Sequence, residues 1–298
     1  MRTEMDMKPA VGLLGLGVMG SRMARNIARH SYPLAVYNRT QSKALALGDT
    51  TKASICGSPA EVAEQSDVIL TMVSDEKATS ELYFGPGGLA ETLRPGATCI
   101  EMSTVAPDFL RELHRKLAPL DVHLLDAPVS GSVASAEEGQ LTVMVGGSDQ
   151  DLQPVLPILQ SMAARVFHVG PLGSGAAMKL AVNTIIFGLN QAMAEALVMA
   201  ESAGIDRSIA YDVFENSAAA APYVRYRKQS FLNPGKVPVA FSINLAQKDL
   251  DLIQTLARRF HAPIPQADLN RQICDKALKE GRGGEDVSAI AEHLRSIH

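Results

Sequence analysis

The chain has 298 residues, 46% hydrophobic and 20% charged, which is typical of a globular protein long enough to bury a sizeable core. Its formal net charge is -4 and only 5% of its residues are aromatic, so we expect no nucleic-acid partner. The three cysteines, Cys56, Cys99 and Cys274, form no CxxC pair, which argues against a zinc or disulfide framework and favours a reducing, cytoplasmic compartment. No apolar run reaches the roughly 18 residues that span a bilayer, so no membrane partner is expected.

The first part of the chain alternates short apolar runs with helical patterns. Because strands that alternate with helices usually pair in parallel through right-handed crossovers, this part is expected to be an α/β domain. Strands are predicted at Ala10–Leu14, Leu34–Tyr37, Val68–Val73, Ala97–Met102, Val122–Leu125, Thr142–Val145 and Ala163–Val169. Helices are predicted at Val18–Arg29, Pro59–Glu64, Glu76–Leu82, Pro107–Leu117 and Asp151–Met162.

The pattern changes at the glycine-rich segment Gly170–Gly175. A single helix is predicted from Gly175 to Ala203, about 43 Å long at about 1.5 Å per residue, with Gly204 as its C-terminal cap. A helix of this length is expected to join two domains or two subunits, so a homodimer or homotetramer is expected. We therefore divide the chain into an α/β domain, 1–172, and an all-helical domain, 173–298. Further helices are predicted at Asp206–Asn216, Asn244–Arg259, Gln266–Glu280 and Asp286–His293.

A G-x-G-x-x-G run lies between the first predicted strand and the helix that follows it. The first two glycines, Gly15 and Gly17, permit a tight turn and close approach to a pyrophosphate, and Gly20 permits close packing of the helix. The helix N-terminus then offers free N–H groups to phosphates. A plain glycine-rich turn is the alternative, but the strand before and the helix after favour a Rossmann-type, mostly parallel sheet that binds a dinucleotide. The cofactor-binding run is Gly15, Leu16, Gly17, Val18, Met19 and Gly20.

The end of the second predicted strand indicates which dinucleotide binds. An NAD site usually has an acidic residue there for the ribose 2′-hydroxyl, whereas this chain has Asn38, Arg39 and Thr40. Arg39 is suited to pair with a 2′-phosphate, and Asn38 and Thr40 add neutral donors. A solvated loop arginine is the alternative. The missing acid and the arginine together favour NADP(H) over NAD(H).

Four motifs in this order resemble the beta-hydroxyacid dehydrogenase family, over the chain from Val11 to about Ala291. They are Gly15–Gly20 continued by SRMARN, Asp126–Gly131 (DAPVSG), Gly173-x-Gly-x-x-x-Lys179-x-x-x-Asn183, and Lys248-Asp-Leu. The family includes 3-hydroxyisobutyrate dehydrogenase and glyoxylate/succinic semialdehyde reductase. The resemblance implies a helical second domain like the C-terminal domain of 6-phosphogluconate dehydrogenase. It also implies hydride transfer between a nicotinamide cofactor and a small carboxylate substrate, a beta-hydroxyacid or the corresponding semialdehyde or keto acid.

The resemblance makes Lys179 the catalytic acid/base and gives Asn183 the task of holding the substrate and the lysine. Residues four apart share one face of a helix, and a carbonyl that is reduced needs a proton for its oxygen. The residues beside Lys179 are apolar, so desolvation is expected to lower the pKa of its amine. A solvated helix lysine is the alternative.

The resemblance also assigns residues that bind the substrate and the cofactor. Several of these residues could instead have an ordinary structural role. Substrate carboxylate binding falls to Ser130, Gly131 and Ser132, where Ser132 replaces the family's usual second glycine. Cofactor contacts fall to Met72, Val73, Thr104, Phe241 and Lys248. The alternatives are plain core for Met72 and Val73, a helix cap for Thr104, and a surface ion pair between Lys248 and Asp249.

Two other enzyme types remain open. An imine reductase has a similar layout, but those relatives generally lack a lysine at the position of Lys179, so oxygen substrates are favoured. The other is an NAD-dependent dehydrogenase of the 3-hydroxyisobutyrate or serine type. A non-catalytic cofactor-binding module is disfavoured by Lys179 and Asn183. No histidine, aspartate and glutamate cluster has metal spacing, so no metal is expected. The Asn38–Thr40 segment leans towards semialdehyde and glyoxylate substrates.

Overall fold

The computed structural model describes residues 8–297. These fall into two compact units, of which the first ends at Lys179 and the second begins at Leu180. The division lies inside a long helix, seven residues after the boundary between positions 172 and 173 that the sequence suggested. A glycine-rich segment can be recognised in the sequence as a break between helices and strands. A change of packing partners along one continuous helix cannot.

The first unit is built on one twisted sheet whose strands run β1 Val11–Leu14, β2 Leu34–Tyr37, β3 Ser54–Ile55, β4 Val68–Thr71, β5 Thr98–Glu101, β6 His123–Asp126, β7 Val129–Ser130, β8 Leu141–Gly146 and β9 Ala163–Gly170. The order is β3-β2-β1-β4-β5-β6-β8-β7, and β9 pairs with β8. Strands β1 to β6 pair in parallel, while β8 runs antiparallel to β6 and β7. The prediction of a Rossmann-type, mostly parallel sheet is confirmed.

Seven helices pack on the sheet within the described residues. They are α1 Gly20–Arg29, α2 Gln41–Thr51, α3 Pro59–Glu64, α4 Glu76–Phe84, α5 Pro107–Leu117, α6 Val133–Glu137 and α7 Asp149–Gln160. Strands β1, β4 and β5 are buried along their whole length, as expected for strands covered on both faces. Helices α2 and α6 and strands β3 and β7 were not predicted, because α2 has a weak apolar face and the other three are very short.

The second unit is formed by helices. They are α8 Ser174–Ser202, which begins in the first unit, then α9 Arg207–Asn216, α10 Pro222–Leu232, α11 Ile243–Phe260, α12 Pro265–Lys279 and α13 Ile290–Ser296. The prediction of a helical second part is confirmed, and α8 ends close to the predicted Ala203, with Gly204 at a φ of +83°. Helix α10 was missed because its sequence is rich in Arg, Lys and Tyr, although Tyr223, Val224 and Phe231 are buried.

Helix α8 is the most apolar long helix of the described residues, although polar residues interrupt its apolar sequence. By length and composition alone it could cross a membrane, with a mean hydropathy of 1.2 over its most apolar window. The core helix of a soluble protein meets the same criterion, and α8 has the features of one. Asn190, on α8, is buried and donates a hydrogen bond to the carbonyl of Val287 at 3.1 Å while accepting one from the Tyr223 hydroxyl at 2.8 Å. A polar group bound in this way belongs to a packed core.

Candidate cofactor and substrate site

The glycine loop between β1 and α1 is held in a conformation that its glycines make possible. Gly15 has a φ of +97°, and a Cβ there would lie 2.1 Å from the carbonyl oxygen of Met72. A Cβ on Gly20 would lie 2.0 Å from the carbonyl oxygen of Gly15. Gly17 faces open space, with no atom within 4 Å of its Cβ position. The first and third glycines therefore permit close packing, and the second leaves room for a ligand.

The N-terminus of α1 is open to an anion. Within the described residues 8–297, the backbone N–H groups of Gly17, Val18, Met19 and Gly20 donate no hydrogen bond. The first turn of α1 contains no acidic residue and its N-cap, Met19, supplies no side-chain acceptor. Unsatisfied N–H groups and the positive end of the helix dipole match a pyrophosphate, so this loop fits a dinucleotide.

The segment after β2 also lies beside this loop. The Asn38 side-chain oxygen accepts a hydrogen bond from the Leu16 N–H at 2.9 Å, so Asn38 holds the glycine loop from the side. Arg39 and Thr40 are exposed, and Arg39 makes no hydrogen bond or ion pair in the part of the chain that the structure describes. A free guanidinium next to a dinucleotide loop is suited to bind a phosphate.

Two further predicted cofactor residues lie at the end of β4. Met72 and Val73 are half-buried. The carbonyl of Met72 and the side chain of Val73 face Gly15, since a Cβ on that glycine would meet both. The N–H of Val73 donates a hydrogen bond at 2.8 Å to the hydroxyl of Ser103, which follows β5. Thr104 is half-buried and is not the cap of α5, whose N-cap is Ala106. The loops after β1, β4 and β5 therefore pack together at one edge of the sheet.

A carboxylate beneath these loops was missed by the sequence analysis. Glu101, the last residue of β5, is fully buried. It accepts hydrogen bonds from the Ser103 N–H and from the Thr71 hydroxyl, each at 2.7 Å. Burial raises the pKa of Glu101, and the hydrogen bonds from Ser103 and Thr71 oppose that rise.

The end of β6 holds a second buried carboxylate. The two oxygens of Asp126 accept hydrogen bonds from the N–H groups of Gly173, at 2.7 Å, and Ala176, at 2.6 Å. Burial raises the pKa of Asp126, and these backbone N–H groups oppose the rise. Space for the carboxylate requires glycine at position 175, where a Cβ would lie 2.8 Å from an Asp126 oxygen. Asp126 thus fixes the start of α8 to the carboxyl edge of the sheet.

The predicted substrate loop follows Asp126. Ser130 and Ser132 are half-buried and Gly131 is exposed, with a φ of +153°. The Ser132 hydroxyl caps α6, because it accepts a hydrogen bond from the Ser135 N–H at 3.0 Å and lies 2.9 Å from the Ser135 hydroxyl. The serine that stands in place of the family's usual second glycine therefore has a structural partner.

Lys179 and Asn183 lie four residues apart on α8, on the same face of the helix. Lys179 is half-buried and is the last residue of the first unit, three positions after Ala176. Lys179 therefore lies about one helical turn after the residue that is bound to Asp126. This position is close enough to the carboxyl edge of the sheet for its amine to reach a ligand there.

Asn183 is buried in the second unit. Its amide group donates a hydrogen bond to Asp249 at 2.8 Å. Asp249 is itself only 2% exposed and lies 3.0 Å from the amine of Lys248. Asp249 therefore pairs with Lys248 as the alternative interpretation expected, but its placement at the surface was wrong, because Asp249 is on the face of α11 that packs into the core. Phe241, just before α11, is half-buried against Phe187.

Family models match both parts of the chain. Residues 10–170 match the model described as the NAD binding domain of 6-phosphogluconate dehydrogenase. Residues 173–294 match the model described as NAD-binding of NADP-dependent 3-hydroxyisobutyrate dehydrogenase.

Full-length relatives and solved structures agree with these models. Glyoxylate/succinic semialdehyde reductase 1 of Arabidopsis thaliana is 32% identical over 285 residues, 96% of this chain and 98% of that protein. A crystal structure of 3-hydroxyisobutyrate dehydrogenase from Salmonella typhimurium matches with a TM-score of 0.90 and 27% identity, over 96% of this chain and 100% of that one. The structure of Psf3 in complex with NADP+ and 2-OPP matches with a TM-score of 0.87 and 25% identity, over 96% and 100%.

Proposed function

Since the chain belongs to the beta-hydroxyacid dehydrogenase family and is an NAD(P)-dependent dehydrogenase or reductase that acts on CH–OH groups, we propose that it transfers hydride between NADP(H) and a small beta-hydroxyacid or its semialdehyde or keto acid. The observation that carries the proposal is that two helices begin at one edge of the sheet. Helix α1 offers free N–H groups there, and α8 is anchored there with Lys179 near its start.

In the proposed reaction, residues 1–172 bind the dinucleotide and residues 173–298 complete the substrate site and carry subunit contacts. The nicotinamide, when bound, gives or accepts the hydride. The Lys179 ammonium donates a proton to the carbonyl oxygen as it becomes an alkoxide, and its amine takes the proton back in the oxidative direction. Ser130, Gly131 and Ser132 hold the substrate carboxylate, and the Asn183 oxygen, whose amide nitrogen is bound to Asp249, is available to orient the substrate or the lysine.

Arg39 supports the choice of NADP(H) over NAD(H). Arg39 is exposed and follows Asn38, which binds the glycine loop, and the end of β2 has no carboxylate that would repel a 2′-phosphate. We propose that Arg39 pairs with that phosphate while Asn38 and Thr40 contact the ribose.

Semialdehyde and glyoxylate-type substrates are the favoured class. The Arabidopsis relative that matches over nearly the whole chain is named for such substrates. Lys179 favours a carbonyl substrate over the imine of an imine reductase, because an alkoxide needs a proton donor.

The test is NADPH oxidation with a panel of aldehyde acids, keto acids and cyclic imines, on the wild type and on Lys179→Ala. We expect turnover of one or more aldehyde or keto acids, and a loss of about 10²- to 10⁴-fold in kcat for the variant. NADPH should still bind to the variant. Lys77→Ala, which removes an exposed lysine of α4, is the matched control and should turn over normally. Near-normal turnover by Lys179→Ala would reject its acid/base role, and turnover of imines alone would favour the imine reductase alternative.

We also propose that α8 forms a subunit interface in a homodimer or homotetramer of a cytoplasmic enzyme. Ile185 and Met199, which share a face of α8, are 65% and 70% exposed, and Ile209 and Val213 on α9 are 59% and 60% exposed. Large exposed apolar side chains that recur along a helix face are candidates for an interface. Light scattering at micromolar concentration should show an oligomer, and a monomer would contradict this part of the proposal.

A further inference from the structure

Glu101 has no role in the proposed chemistry, yet its burial is expensive. The carboxylate is fully buried at the end of β5, and a buried charge costs free energy unless hydrogen bonds compensate it. Its two oxygens accept from Ser103 and Thr71, which are themselves buried to 1% and 0% exposure. Both donors would lose this charged acceptor if the carboxylate were absent.

A continuous series of contacts leads from Glu101 to the glycine loop. Glu101 holds the N–H of Ser103, and the Ser103 hydroxyl accepts the N–H of Val73. The side chain of Val73 then lies against Gly15, since a Cβ on that glycine would come within 2.9 Å of it. Gly15 begins the loop whose free N–H groups fit a pyrophosphate. The carboxylate is therefore linked to that loop by two hydrogen bonds and one packing contact.

We propose that Glu101 is a positioning residue for the dinucleotide: acting through Ser103 and Val73, it fixes the loops after β4 and β5 against the glycine loop. The inference rests on the proposed placement of the dinucleotide at that loop. A carboxylate suits this task because it accepts one hydrogen bond from Thr71, the last residue of β4, and one from Ser103, in the loop after β5, whereas an apolar residue would accept neither.

The experiment is a titration of purified variants with NADPH and NADH, followed by the fluorescence of the reduced nicotinamide. The chain has no tryptophan, so the protein adds little background. Glu101→Ala and Ser103→Ala should each raise the Kd for NADPH at least about tenfold, since each breaks one link. Glu101→Gln should stay within about threefold of the wild type, because its amide oxygen can accept from the Ser103 N–H while its amide nitrogen donates to the Thr71 hydroxyl.

A stability control separates positioning from general loosening. Leu117→Ala opens a cavity in the core of the same unit, at the C-terminal end of α5. Because α5 runs against the parallel strands, that end lies near the opposite edge of the sheet. We expect Leu117→Ala to lower Tm at least as much as Glu101→Ala and to leave the Kd unchanged.

The outcomes are distinct. The inference is supported if Glu101→Ala and Ser103→Ala weaken binding while Glu101→Gln and Leu117→Ala do not. It is overturned if Glu101→Ala binds NADPH as the wild type does, or if the rise in Kd is proportional to the loss of Tm in every variant, Leu117→Ala included. The proposed function would survive either result. If Glu101→Ala does not fold, Ser103→Ala decides in the same way. A wild type that binds neither nucleotide would overturn the inference and the proposed function together.

Discussion

Two helices that begin at the carboxyl edge of the sheet differ in what occupies their N-termini. Helix α1 begins after the glycine loop with free N–H groups and no acidic residue in its first turn. Helix α8 begins against the carboxylate of Asp126, which accepts from the N–H of Gly173, just before the helix, and from the N–H of Ala176 in its first turn. Both helices have a positive dipole end at the same edge of one sheet.

The difference shows how one physical property serves two purposes. At α1 the positive end is left for an anion that the ligand supplies, so the loop is a binding site. At α8 the chain supplies the anion itself, so the first turn is fixed and Lys179 is carried on a rigid base. The sequence reflects this division, because glycines fill the first loop and an aspartate ends the strand that faces the second helix.

The sharpest way to break the comparison is to place an acid at the open N-terminus. Gly17→Asp should fold normally because Gly17 faces open space. Its carboxylate would lie where the pyrophosphate is expected. Repulsion between the two negative charges should lower the affinity for NADPH by about 100-fold or more. Titration with NADPH measures this, and Gly17→Ala is the control for the added Cβ. Unchanged affinity in the aspartate variant would show that phosphates do not bind at α1.

Arg39 tests which dinucleotide the open site accepts. Arg39→Ala should lower the affinity for NADPH by about 10- to 100-fold and leave the affinity for NADH nearly unchanged, because charge-assisted hydrogen bonds to the 2′-phosphate are lost. The measurement is Kd for both nucleotides, with Arg39→Lys expected between the wild type and the alanine variant. Equal losses for NADPH and NADH would show that Arg39 does not recognise the 2′-phosphate.

A substitution of Asp126, the carboxylate at the N-terminus of α8, should have the smallest effect on nucleotide binding. In Asp126→Asn one side-chain oxygen still accepts from Gly173, but the new amide group faces the N–H of Ala176, a clash of donors worth about 1–3 kcal/mol. We expect a lower Tm and a kcat reduced by about threefold to tenfold, with the Kd for NADPH within about twofold. A larger effect on nucleotide binding than on kcat would contradict the assigned division of labour between the two helices.

Local signals predicted most of the fold. Strand β2 and helices α3 and α5 have the predicted bounds, because a buried apolar run or a proline at a helix start marks them in the sequence. The glycine loop was predictable for the same reason, since strand, glycines and helix are adjacent in the chain.

The buried polar contacts were not predictable, because their partners are distant in the sequence. Glu101 binds Thr71 from 30 positions away, Asp126 binds Ala176 from 50, and Asn183 binds Asp249 from 66. A carboxylate at the end of an apolar strand is the only local signal that Glu101 and Asp126 give. Whether such a residue faces solvent or caps another element depends on how the chain folds back.

The central claim is that the amine of Lys179 lies beside the nicotinamide when the dinucleotide is bound at α1. A crystal structure of the complex with NADP+ tests it directly. We expect the pyrophosphate within hydrogen-bonding distance of the N–H groups of Gly17–Gly20, and the Lys179 amine directed at the face of the nicotinamide ring where a substrate would sit. A structure in which that amine points into bulk solvent, away from the ring, would contradict the account.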